Sequence, residues 1–520
     1  MAFDAPATPA TAQVDRPRTI PALRSWTPAP PREAGTFRLR EDVRVIVRYR
    51  DRKRLRGEAR QLAADLGLLL DRRVPTTARR GVRARTGDVI VGHTTRDPTL
   101  GKEGYGLRIG RAFTITAPTT TGVFYGGRTL LQLVRHGRTI PRGRARDRPR
   151  YPERGLMVDA GRKPYSRRWL AAHIRELAYL KLNLLHLHLS DHQGFRIESS
   201  THPEIVSQEH LSKADVRYLL ALARRHHVTV VPEIDMPGHM TAALERHPEF
   251  QLRTADGRTE AGVLDVGNPE AVRFARELIG EYLDLFDGPY WHVGGDEVLP
   301  FFTYPLGLYP SLERAARERF GPSANAKDAI HAFINDVDDM VKARGRTTRM
   351  WHDDIGGGSA VTRHEDIIAE WWINVSPLSD VRPPTPQQLL DQGRRILNAG
   401  WYPTYVVNGV GGSPLPITPN FRAAYESWDL HEFHGPLVHD ATLQAPPDTV
   451  ARDEPRNLGS KLHLWNDNPA FATEEQDTAA IAPGLRVIAQ KTWESPLLVP
   501  GYADFVALGE RVGSAPGFEP

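Results

Sequence analysis

Two neighbouring carboxylates, Asp296 and Glu297, end an otherwise apolar run, WHVGGDEV at residues 291–298. Adjacent carboxylates in a confined place repel each other, so a folded protein must either offset that repulsion or protonate one acid and raise its pKa. Both outcomes suit a site that does acid–base chemistry. The alternative is an ordinary solvated turn at the end of a strand, because glycine and aspartate are common turn residues.

Other residues that could do chemistry or hold a sugar recur where further short apolar runs end. They are Asp159, Asp191, Glu233, Asp235, Trp351, Asp353, Trp372, Trp401, Tyr402, Trp465 and Asp467. If these runs are parallel strands of a barrel, their carboxyl ends meet on one face, which is where the active sites of barrels lie. That concentration favours a functional site over a simple turn at residues 294–297.

The mixture of acids and tryptophans at these ends indicates the kind of ligand. Aromatic faces pack on the apolar faces of pyranose rings, while carboxylates and arginines bind hydroxyl groups. Any single tryptophan is better explained by core packing. Several at successive strand ends favour a carbohydrate site.

Eight short apolar runs provide the strands that must position these residues. They span residues 155–160, 184–191, 228–235, 290–297, 346–354, 366–372, 395–401 and 461–467. Between several of these runs, apolar residues recur at the spacing of a helix. Asn268 followed by Pro269 is a favourable helix start. Strands that are apolar on both faces and alternate with helices predict a parallel sheet covered by helices. Eight units over about 350 residues favour an α/β fold of the (β/α)8 TIM-barrel type over an open Rossmann sheet, whose glycine-rich phosphate fingerprint is missing.

A small α+β domain is predicted before the barrel, because strand-like and helical runs alternate over residues 36–137. Residues 1–35 are rich in proline, alanine and threonine and are predicted to be a disordered lead-in. The Arg/Pro-rich residues 138–150 are predicted to be a basic linker. Residues 151–505 then form the catalytic barrel, and residues 506–520 form a C-terminal tail.

Composition excludes several classes of protein. The 520 residues are 40% hydrophobic and 25% charged, which is typical of a globular chain. Without cysteine there is no disulfide, thiolate metal site or cysteine nucleophile. No apolar run approaches the roughly 20 residues that span a bilayer, so no membrane insertion is predicted. The net charge is +5, and the basic run at residues 138–154 lacks both interleaved aromatics and a recognised nucleic-acid module, so no nucleic-acid partner is predicted.

The first 35 residues contain no basic start followed by an apolar segment. They fit a mature secreted bacterial chain whose signal peptide has been replaced, and the lack of cysteine is compatible with export. Secretion is therefore expected, with a cytoplasmic location as the alternative. The oligomeric state is left open.

Four motifs resemble those of glycoside hydrolase family 20, the β-N-acetylhexosaminidases. They are RGLMVDAGR (residues 154–162), HLHLSDHQGFR (186–196), PEIDMPGH (232–239) and HVGGDE (292–297), in the order of the family. The resemblance covers about residues 36–500 and includes GVFYGGRTLLQLV (122–134) in the N-terminal domain. It implies a hydrolase of oligosaccharides or glycoconjugates that bear β-linked GlcNAc or GalNAc, with no cofactor and no metal.

The resemblance also implies substrate-assisted catalysis, in which the 2-acetamido oxygen of the substrate attacks its own anomeric carbon and an oxazolinium ion forms. By carry-over, Glu297 is the general acid and then the base that activates water. Asp296 would accept the acetamido N–H and stabilise the developing positive charge. Tyr405 would hydrogen-bond the acetamido oxygen, and the two glycines before the acids would allow backbone and substrate to approach closely.

A set of further residues is implied around the substrate. Those expected to bind it are Arg154, Asp191, Gln193, His239, Trp351, Trp372, Trp465 and Asp467. Arg154 would fork onto sugar hydroxyls, a geometry that suits guanidinium. The tryptophans would wall the acetamide and the sugar ring. Asp235 would lie behind these residues and, with His239, tune the proton affinity of Glu297.

Two departures from the family pattern leave the substrate open. Val407, with Asn408 next, stands two positions after Tyr405 where an aspartate is usual, and Asp467 stands where a glutamate is usual. Such changes resemble the lacto-N-biosidase branch, which accommodates a β-1,3-galactosyl group and releases a disaccharide, and Gln193 could contribute there. Release of a single N-acetylhexosamine remains the first expectation.

Alternatives of other classes are weaker. A catalytically silent sugar-binding protein would lose the acids, whereas Asp296, Glu297 and Tyr405 are all present. A metallohydrolase could use His186 and His188 on one strand face, but it needs ligands on later strands, so buried structural histidines are favoured. The DxxDxDxE strand of a chitinase-type enzyme is not found.

Overall fold

The computed structural model describes residues 16–94, 97–298, 307–353, 359–374, 383–409, 417–435 and 446–520. The chain divides into two compact units. The first unit comprises Met1–Pro149, Ser495–Leu498 and Ala507–Pro516. The second comprises Arg150–Glu494, Val499–Val506 and Gly517–Pro520.

The first unit contains a seven-stranded mixed sheet and two long helices. Its strands are β1 (Thr27–Pro28), β2 (Thr36–Arg38), β3 (Val45–Val47), β4 (Thr76–Thr77), β5 (Val89–His93), β6 (Tyr105–Ile109), β7 (Phe113–Ala117), β8 (Thr139–Pro141) and β9 (Gly143–Asp147), and its helices are α1 (Arg56–Leu70) and α2 (Thr120–Arg135). The sheet order is β1-β9-β6-β7-β5-β3-β4, and β2 pairs separately with β8. Burial alternates along β6, β7 and β9, so one face of the sheet packs on the core and the other faces solvent.

The edges of this unit differ from the predicted boundaries. Residues 139–147 of the predicted linker form β8 and β9, because small buried residues alternate with exposed arginines in GRARD. In the predicted lead-in, Ile20 and Leu23 are fully buried and β1 pairs with β9, while residues 1–15 lie outside the described residues. The predicted tail overlaps the last helix, α13 (Tyr502–Val512), and Val512 is buried.

The second unit alternates strands and helices. Its strands are β10 (Glu153–Asp159), β11 (Leu184–His188), β12 (Thr229–Glu233), β13 (Gln251–Arg253), β14 (Thr259–Leu264), β15 (Tyr290–His292), β16 (Thr347–Trp351), β17 (Ile368–Trp371), β18 (Ile396–Asn398), β19 (Tyr405–Val407), β20 (Glu432–Phe433), β21 (Asp448–Thr449) and β22 (Asn457–Trp465). Its helices are α3 (Arg167–Tyr179), α4 (Lys213–Arg225), α5 (Thr241–Leu244), α6 (Pro269–Leu285), α7 (Pro310–Phe320), α8 (Ala326–Lys342), α9 (Pro386–Asp391), α10 (Trp401–Thr404), α11 (Phe421–Glu426) and α12 (Glu474–Trp493).

Eight parallel strands close into the predicted TIM barrel. Their order is β10-β11-β12-β15-β16-β17-β18-β22, β22 pairs back with β10, and β19 adds beside β22. Each of the eight predicted apolar runs overlaps one of these strands, although Asp354 lies outside the described residues. Every residue of β10, β11 and β22 is buried, as expected for strands covered on both faces.

The predicted helices form with their expected caps and buried faces. Asn268 accepts a hydrogen bond from the backbone N–H of Glu270 and begins α6 with Pro269 in its first turn. Trp169, Leu170, Ile174 and Leu177 of α3 are fully buried, and their side chains hold this helix on the barrel. Among the described residues, no helix is both long and apolar enough to cross a bilayer.

Candidate active site

The loop after β15 brings Asp296 and Glu297 to the carboxyl end of the barrel. Gly294, Gly295 and Glu297 adopt left-handed backbone conformations, with φ of 73°, 81° and 50°. A side chain at Gly294 would overlap Asp235 Oδ1, and the Gly295 N–H donates to the same oxygen over 3.0 Å. Gly294 therefore allows the approach of Asp235, where the sequence had suggested the approach of substrate.

Asp235 and Asp296 are buried, neighbouring carboxyl groups whose charges act on each other. Burial, opposed by the charge of His239, raises the pKa of Asp235 to about 7. Burial and the neighbouring charge of Asp235 raise the pKa of Asp296 well above its usual range. Two carboxylates this close do not both ionise readily, so a proton is shared between them. Asp235 can thus take the proton that Asp296 gives up.

Glu297 has a different set of partners. His239 Nε2 lies 3.3 Å from Glu297 Oε2, and His239 Nδ1 lies 3.1 Å from Asp191 Oδ1. Burial acts to lower the pKa of His239, but the charges of Asp191 and Asp296 outweigh it and raise the pKa well above the usual value. Burial acts to raise the pKa of Glu297, but the hydrogen bond and charge of His239 outweigh it and lower the pKa. The Glu297 side chain is 39% exposed, so a ligand can reach it.

A column of buried polar side chains continues below Asp191. His188 contacts Asp191 Oδ2 through Nε2 at 2.8 Å and Glu233 Oε2 through Nδ1 at 2.7 Å. Strand register places His188 beside Glu233 and Glu233 beside His292. Glu233 also accepts a hydrogen bond from Trp351 Nε1 at 2.8 Å. His188 is therefore a buried residue whose two ring nitrogens both contact carboxylates, which fits the structural role predicted for it. Glu233, which the sequence marked only as a strand-end residue, contacts both His188 and Trp351.

His186, His292 and Glu370 bring three potential metal-ligand atoms within 4.8 Å of one another. Lys461 Nζ lies 2.6 Å from both His186 Nδ1 and Glu370 Oε2, and Arg349 Nε donates to Glu370 Oε1 over 2.7 Å. These two cations already balance the carboxylate, so the cluster does not suit an added metal ion.

Arg162, which was not predicted, lies beside Asp191 and Asp467 in the site. Its guanidinium is 3.0 Å from Asp159, 3.0 Å from Asp191 and 3.9 Å from Asp467, and it lies 5.2 Å from the ring centre of Trp465. Its side chain is 12% exposed. Arg162 follows the carboxyl end of β10, so the strand-end rule applied to RGLMVDAGR would have selected it.

Arg154, predicted to bind sugar hydroxyls, does not lie at this face. It is fully buried near the start of β10, and its guanidinium donates to the carbonyls of Lys181, Tyr151 and Pro152. The ring of Trp493 covers it at 5.4 Å. Five residues of strand, roughly 17 Å, separate it from Asp159 at the other end. The assignment to substrate is therefore corrected to a structural role.

The structure brings the predicted aromatic residues together. Trp372 stacks on Tyr405 with ring centres 6.4 Å apart, and Trp351 lies 5.7 Å from Trp465. Burial and the charge of Asp296 raise the pKa of Tyr405 well above its usual value, so the phenol keeps its proton and can donate it in a hydrogen bond. These side chains form one buried cluster with Met157, Leu397 and Val407.

Asp353 holds this aromatic wall to the catalytic loop. One carboxyl oxygen accepts from Trp372 Nε1 at 3.0 Å, and the other accepts from the backbone N–H of Glu297 at 2.9 Å. Its position after β16 marked it as a strand-end residue, but no sequence signal indicated that it would contact Glu297.

The remaining predicted residues lie around the opening. Gln193 is exposed after β11, and Asp467, beyond β22, has a side chain that is 30% exposed. Val407 is buried in the aromatic cluster. Asn408 donates to Asn466 at 2.9 Å and Asp477 at 2.8 Å, so its amide is committed to the scaffold.

A barrel whose strand ends present paired carboxylates and an aromatic wall is typical of a carbohydrate-active hydrolase. The chain belongs to glycosyl hydrolase family 20: the model of the family's catalytic domain matches residues 151–495, and that of its domain 2 matches residues 16–148.

Individual relatives agree with this assignment. The chain is 30% identical over 508 residues to a lacto-N-biosidase of Bifidobacterium bifidum, covering 97% of this chain and 42% of the relative. It is 26% identical over 457 residues to a β-hexosaminidase of Porphyromonas gingivalis, covering 80% and 54%. The chain thus spans about half the length of the curated relatives it matches. The solved family 20 β-N-acetylhexosaminidase from Streptomyces coelicolor aligns with a TM-score of 0.71 and 25% identity over 95% of this chain and 94% of that one.

Proposed function

We propose that this protein is a retaining exo-glycosidase that hydrolyses terminal β-linked N-acetylhexosamine by substrate-assisted catalysis. The supporting observation is that the two adjacent acids have separate partners. Asp296 pairs with Asp235, while Glu297 lies against His239. One acid is thereby available to the internal nucleophile and the other to the leaving group.

In the first step, the acetamido carbonyl oxygen forms a bond to the anomeric carbon as the bond to the glycosidic oxygen breaks. Asp296 accepts the acetamido N–H, and its negative charge stabilises the oxazolinium ion. The developing positive charge favours ionised Asp296, and the shared proton then moves to Asp235. Tyr405 donates its phenol proton in a hydrogen bond to the acetamido oxygen and orients it.

Glu297 donates its proton to the departing glycosidic oxygen. In the free protein His239, held by Asp191, lowers the pKa of Glu297, which favours the carboxylate form that acts as the base in the second step. In the second step the same carboxylate removes a proton from water, which attacks the anomeric carbon and opens the oxazoline ring. Two inversions at that carbon give net retention.

Hydroxyl recognition falls to Arg162, Asp191 and Asp467, which lie together at one side of the site. A guanidinium fork beside carboxylates offers both donors and acceptors to sugar hydroxyls. Trp372, Trp465 and Tyr405 supply the apolar wall for the acetamide and the ring. The substrate is a glycoconjugate or oligosaccharide with terminal β-linked GlcNAc or GalNAc.

Release of a disaccharide is the second candidate. It is favoured by the resemblance to the lacto-N-biosidase and by Val407 and Asn408, which are committed to the scaffold where the family pattern has an acid. Loss of that acid removes a hydroxyl-binding group and leaves room for a further sugar. Exposed Gln193 would contact that sugar.

The deciding experiment compares release of 4-nitrophenol from the β-N-acetylglucosaminide, the β-lacto-N-bioside and the β-glucoside at mildly acidic pH. Cleavage of the first supports monosaccharide release, and cleavage of the second alone supports disaccharide release. The β-glucoside lacks the internal nucleophile and is expected to react about a thousandfold more slowly. Equal rates for the two monosaccharides would contradict substrate assistance, and inactivity on all three would favour a silent binding protein.

We further propose that the protein acts outside the cell, where polymeric glycoconjugates are accessible. Fractionation of a culture of the native host, with activity measured in medium and lysate, tests this. Activity confined to the lysate would contradict it.

A further inference from the structure

Charge is distributed very unevenly along this chain. Residues 16–149 contain 31 lysines and arginines and 11 aspartates and glutamates, a formal net charge of +20. Residues 150–520 contain 37 and 50 of these, a net charge of −13. A surface of one sign attracts ligands of the opposite sign and raises their local concentration. The overall charge of +5 conceals a strongly basic first unit.

The solvent face of the sheet in this unit aligns a row of exposed residues. Strand register places Thr27 opposite Arg144, Arg144 opposite Arg108, and Arg108 opposite Thr114. The row thus crosses β1, β9, β6 and β7 on the face that alternation turns to solvent. Both arginines are exposed. Arg144 belongs to the basic run that the sequence alone assigned to a linker.

Arg108 and Arg144 are like charges directly opposite each other on antiparallel strands. Such a pair destabilises a sheet unless something neutralises it. In the part of the chain that the structure describes, neither arginine has a carboxylate within ion-pair distance, whereas Arg44 pairs with Asp88 and Arg146 with Asp97. Those two acids are thus paired elsewhere, and this pair of arginines is left available to an external anion.

A groove of about 760 Å³ lies in front of this row. Its charged lining residues are Arg32, Arg108, Arg111, Arg142 and Arg144, together with Glu33. We refer to these five arginines as the arginine face. Among described partners, the side chains of Arg111 and Arg142 donate only to the Thr86 hydroxyl and to the Thr36 carbonyl respectively, so their charges are also unbalanced.

We propose that the arginine face binds an anionic polysaccharide, through the carboxylate or sulfate groups of its sugars. Guanidinium forks suit both groups, and Thr27 and Thr114 place hydroxyls in the same row for sugar hydroxyls. This inference goes beyond the proposed hydrolysis and does not depend on it. Its consequence is that the enzyme is retained on a polyanionic glycan while the barrel acts on neutral chain ends.

Other polyanions fit the face less well. No aromatic side chain lines the groove among the described residues, so it offers no platform for stacking bases of a single strand. The exposed large apolar residues described in the first unit, Tyr49, Leu68 and Leu497, are not in its lining, so it offers no anchor for a bilayer. An anionic glycan needs neither.

The test measures binding of the full chain to fluorescein-labelled heparin across a series of NaCl concentrations. R108Q/R144Q is compared with R79Q/R80Q, which removes the same charge from two exposed arginines just past β4, at the opposite edge of the sheet. R108Q/R144Q is expected to weaken binding at least about tenfold. It should also reduce the slope of the logarithm of the binding constant against the logarithm of the salt concentration by about two, since each lost contact removes about one released counterion. The control pair is expected to change binding less than about threefold.

Equal weakening by both pairs, or no binding by the unsubstituted chain, would overturn the proposal. Tighter or equal binding of a 16-base-pair DNA or of phosphatidylglycerol vesicles at the same salt would overturn its assignment to a glycan. Because R108Q/R144Q relieves like-charge repulsion, its Tm is expected to rise by about 1 to 4 °C. A lower Tm of R108Q/R144Q would mean that the two arginines stabilise the fold, which would contradict the proposal. Hydrolysis of a neutral aryl glycoside by R108Q/R144Q is expected to be unchanged, so a failure of the glycan-binding proposal is distinguishable from a failure of the catalytic site.

Discussion

Asp296 and Glu297 are neighbours in the chain, yet their side chains meet different surroundings. Asp296 is buried against Asp235 and its pKa is raised, whereas Glu297 is partly exposed beside His239 and its pKa is lowered. Acids whose environments separate their proton affinities are suited to different catalytic roles. The two side chains should therefore respond differently to removal of charge.

Glu297→Gln is expected to lower kcat on natural glycosides by about 10² to 10⁴, because the leaving group loses its proton donor. The loss should be smaller on 4-nitrophenyl glycosides, whose leaving group needs little protonation. Steady-state kinetics on both substrates measure this. Asp296→Asn is the matched control and should reduce both rates alike, since it disturbs the nucleophile. Equal losses for Glu297→Gln would argue against Glu297 as the acid.

The two arginines of the RGLMVDAGR motif, Arg154 and Arg162, should also differ in how their substitution affects KM. Arg162→Ala is expected to raise KM at least about tenfold, because a group for sugar hydroxyls is lost, and also to lower Tm, because the buried Asp159 and Asp191 lose their cation. Arg154→Ala removes a buried guanidinium that satisfies three carbonyls, so it should lower the free energy of unfolding by about 3 to 5 kcal/mol and leave KM of the folded fraction unchanged. A raised KM for Arg154→Ala together with an unchanged KM for Arg162→Ala would restore the sequence-based assignment.

At the scale of elements, β15 is short and the loop after it does most of the positioning. Three residues of that loop adopt left-handed conformations, which cost free energy for any residue with a side chain. Gly294 is needed for a second reason, since Asp235 occupies the space where its Cβ would lie.

Gly294→Ala is therefore expected to displace Asp235 and to lower kcat by about tenfold or more, together with Tm. Gly295→Ala is a matched control, because its φ of 81° gives similar backbone strain while its nearest side-chain contact is 3.3 Å away. Backbone strain lowers Tm in both variants. Only Gly294→Ala should lose more activity than backbone strain explains. Similar activities of the two variants at a temperature where both are folded would contradict the role of Gly294.

At the scale of the whole molecule, barrel closure carries ionisable groups from many strands into one interior. Asp235 is buried there with a pKa of about 7, above its ordinary value near 3.8. The native state thus binds a proton that the unfolded chain has released between these two values. Stability from this group is fully present below pH 3.8 and is lost as pH rises through about 7.

Asp235→Asn removes this titration while keeping the size of the side chain. The Tm of the variant relative to the unsubstituted protein is expected to increase from pH 4 to pH 7 and to level off above about pH 8. Calorimetry over this range measures it. A constant difference in Tm would mean that Asp235 is ionised in the folded protein throughout.

Much of this architecture could be predicted because it follows from local pattern. Apolar runs of strand length, helix starts such as Asn268–Pro269 and acids at strand ends each depend on a few adjacent residues. The prediction was less accurate at β9, where the high arginine content suggested a linker and hid the alternation of buried and exposed residues that is typical of a strand. It also failed in the RGLMVDAGR motif, which has one arginine near the start of a strand and one after its end. Arg162 and Arg154 have the same chemistry, and only their positions distinguish them, since Arg154 lies near the start of β10 and Arg162 follows its end.

The sequence by itself determined the barrel, the adjacent acids and the aromatic wall, because strand spacing and residue type are local properties. Only the tertiary structure decided which acid keeps a proton, which arginine reaches the ligand and which face of the first sheet exposes unbalanced charge. The physical reason is that proton affinity and charge pairing depend on burial and on distances to groups from other strands. Those distances exist only after the strands have paired.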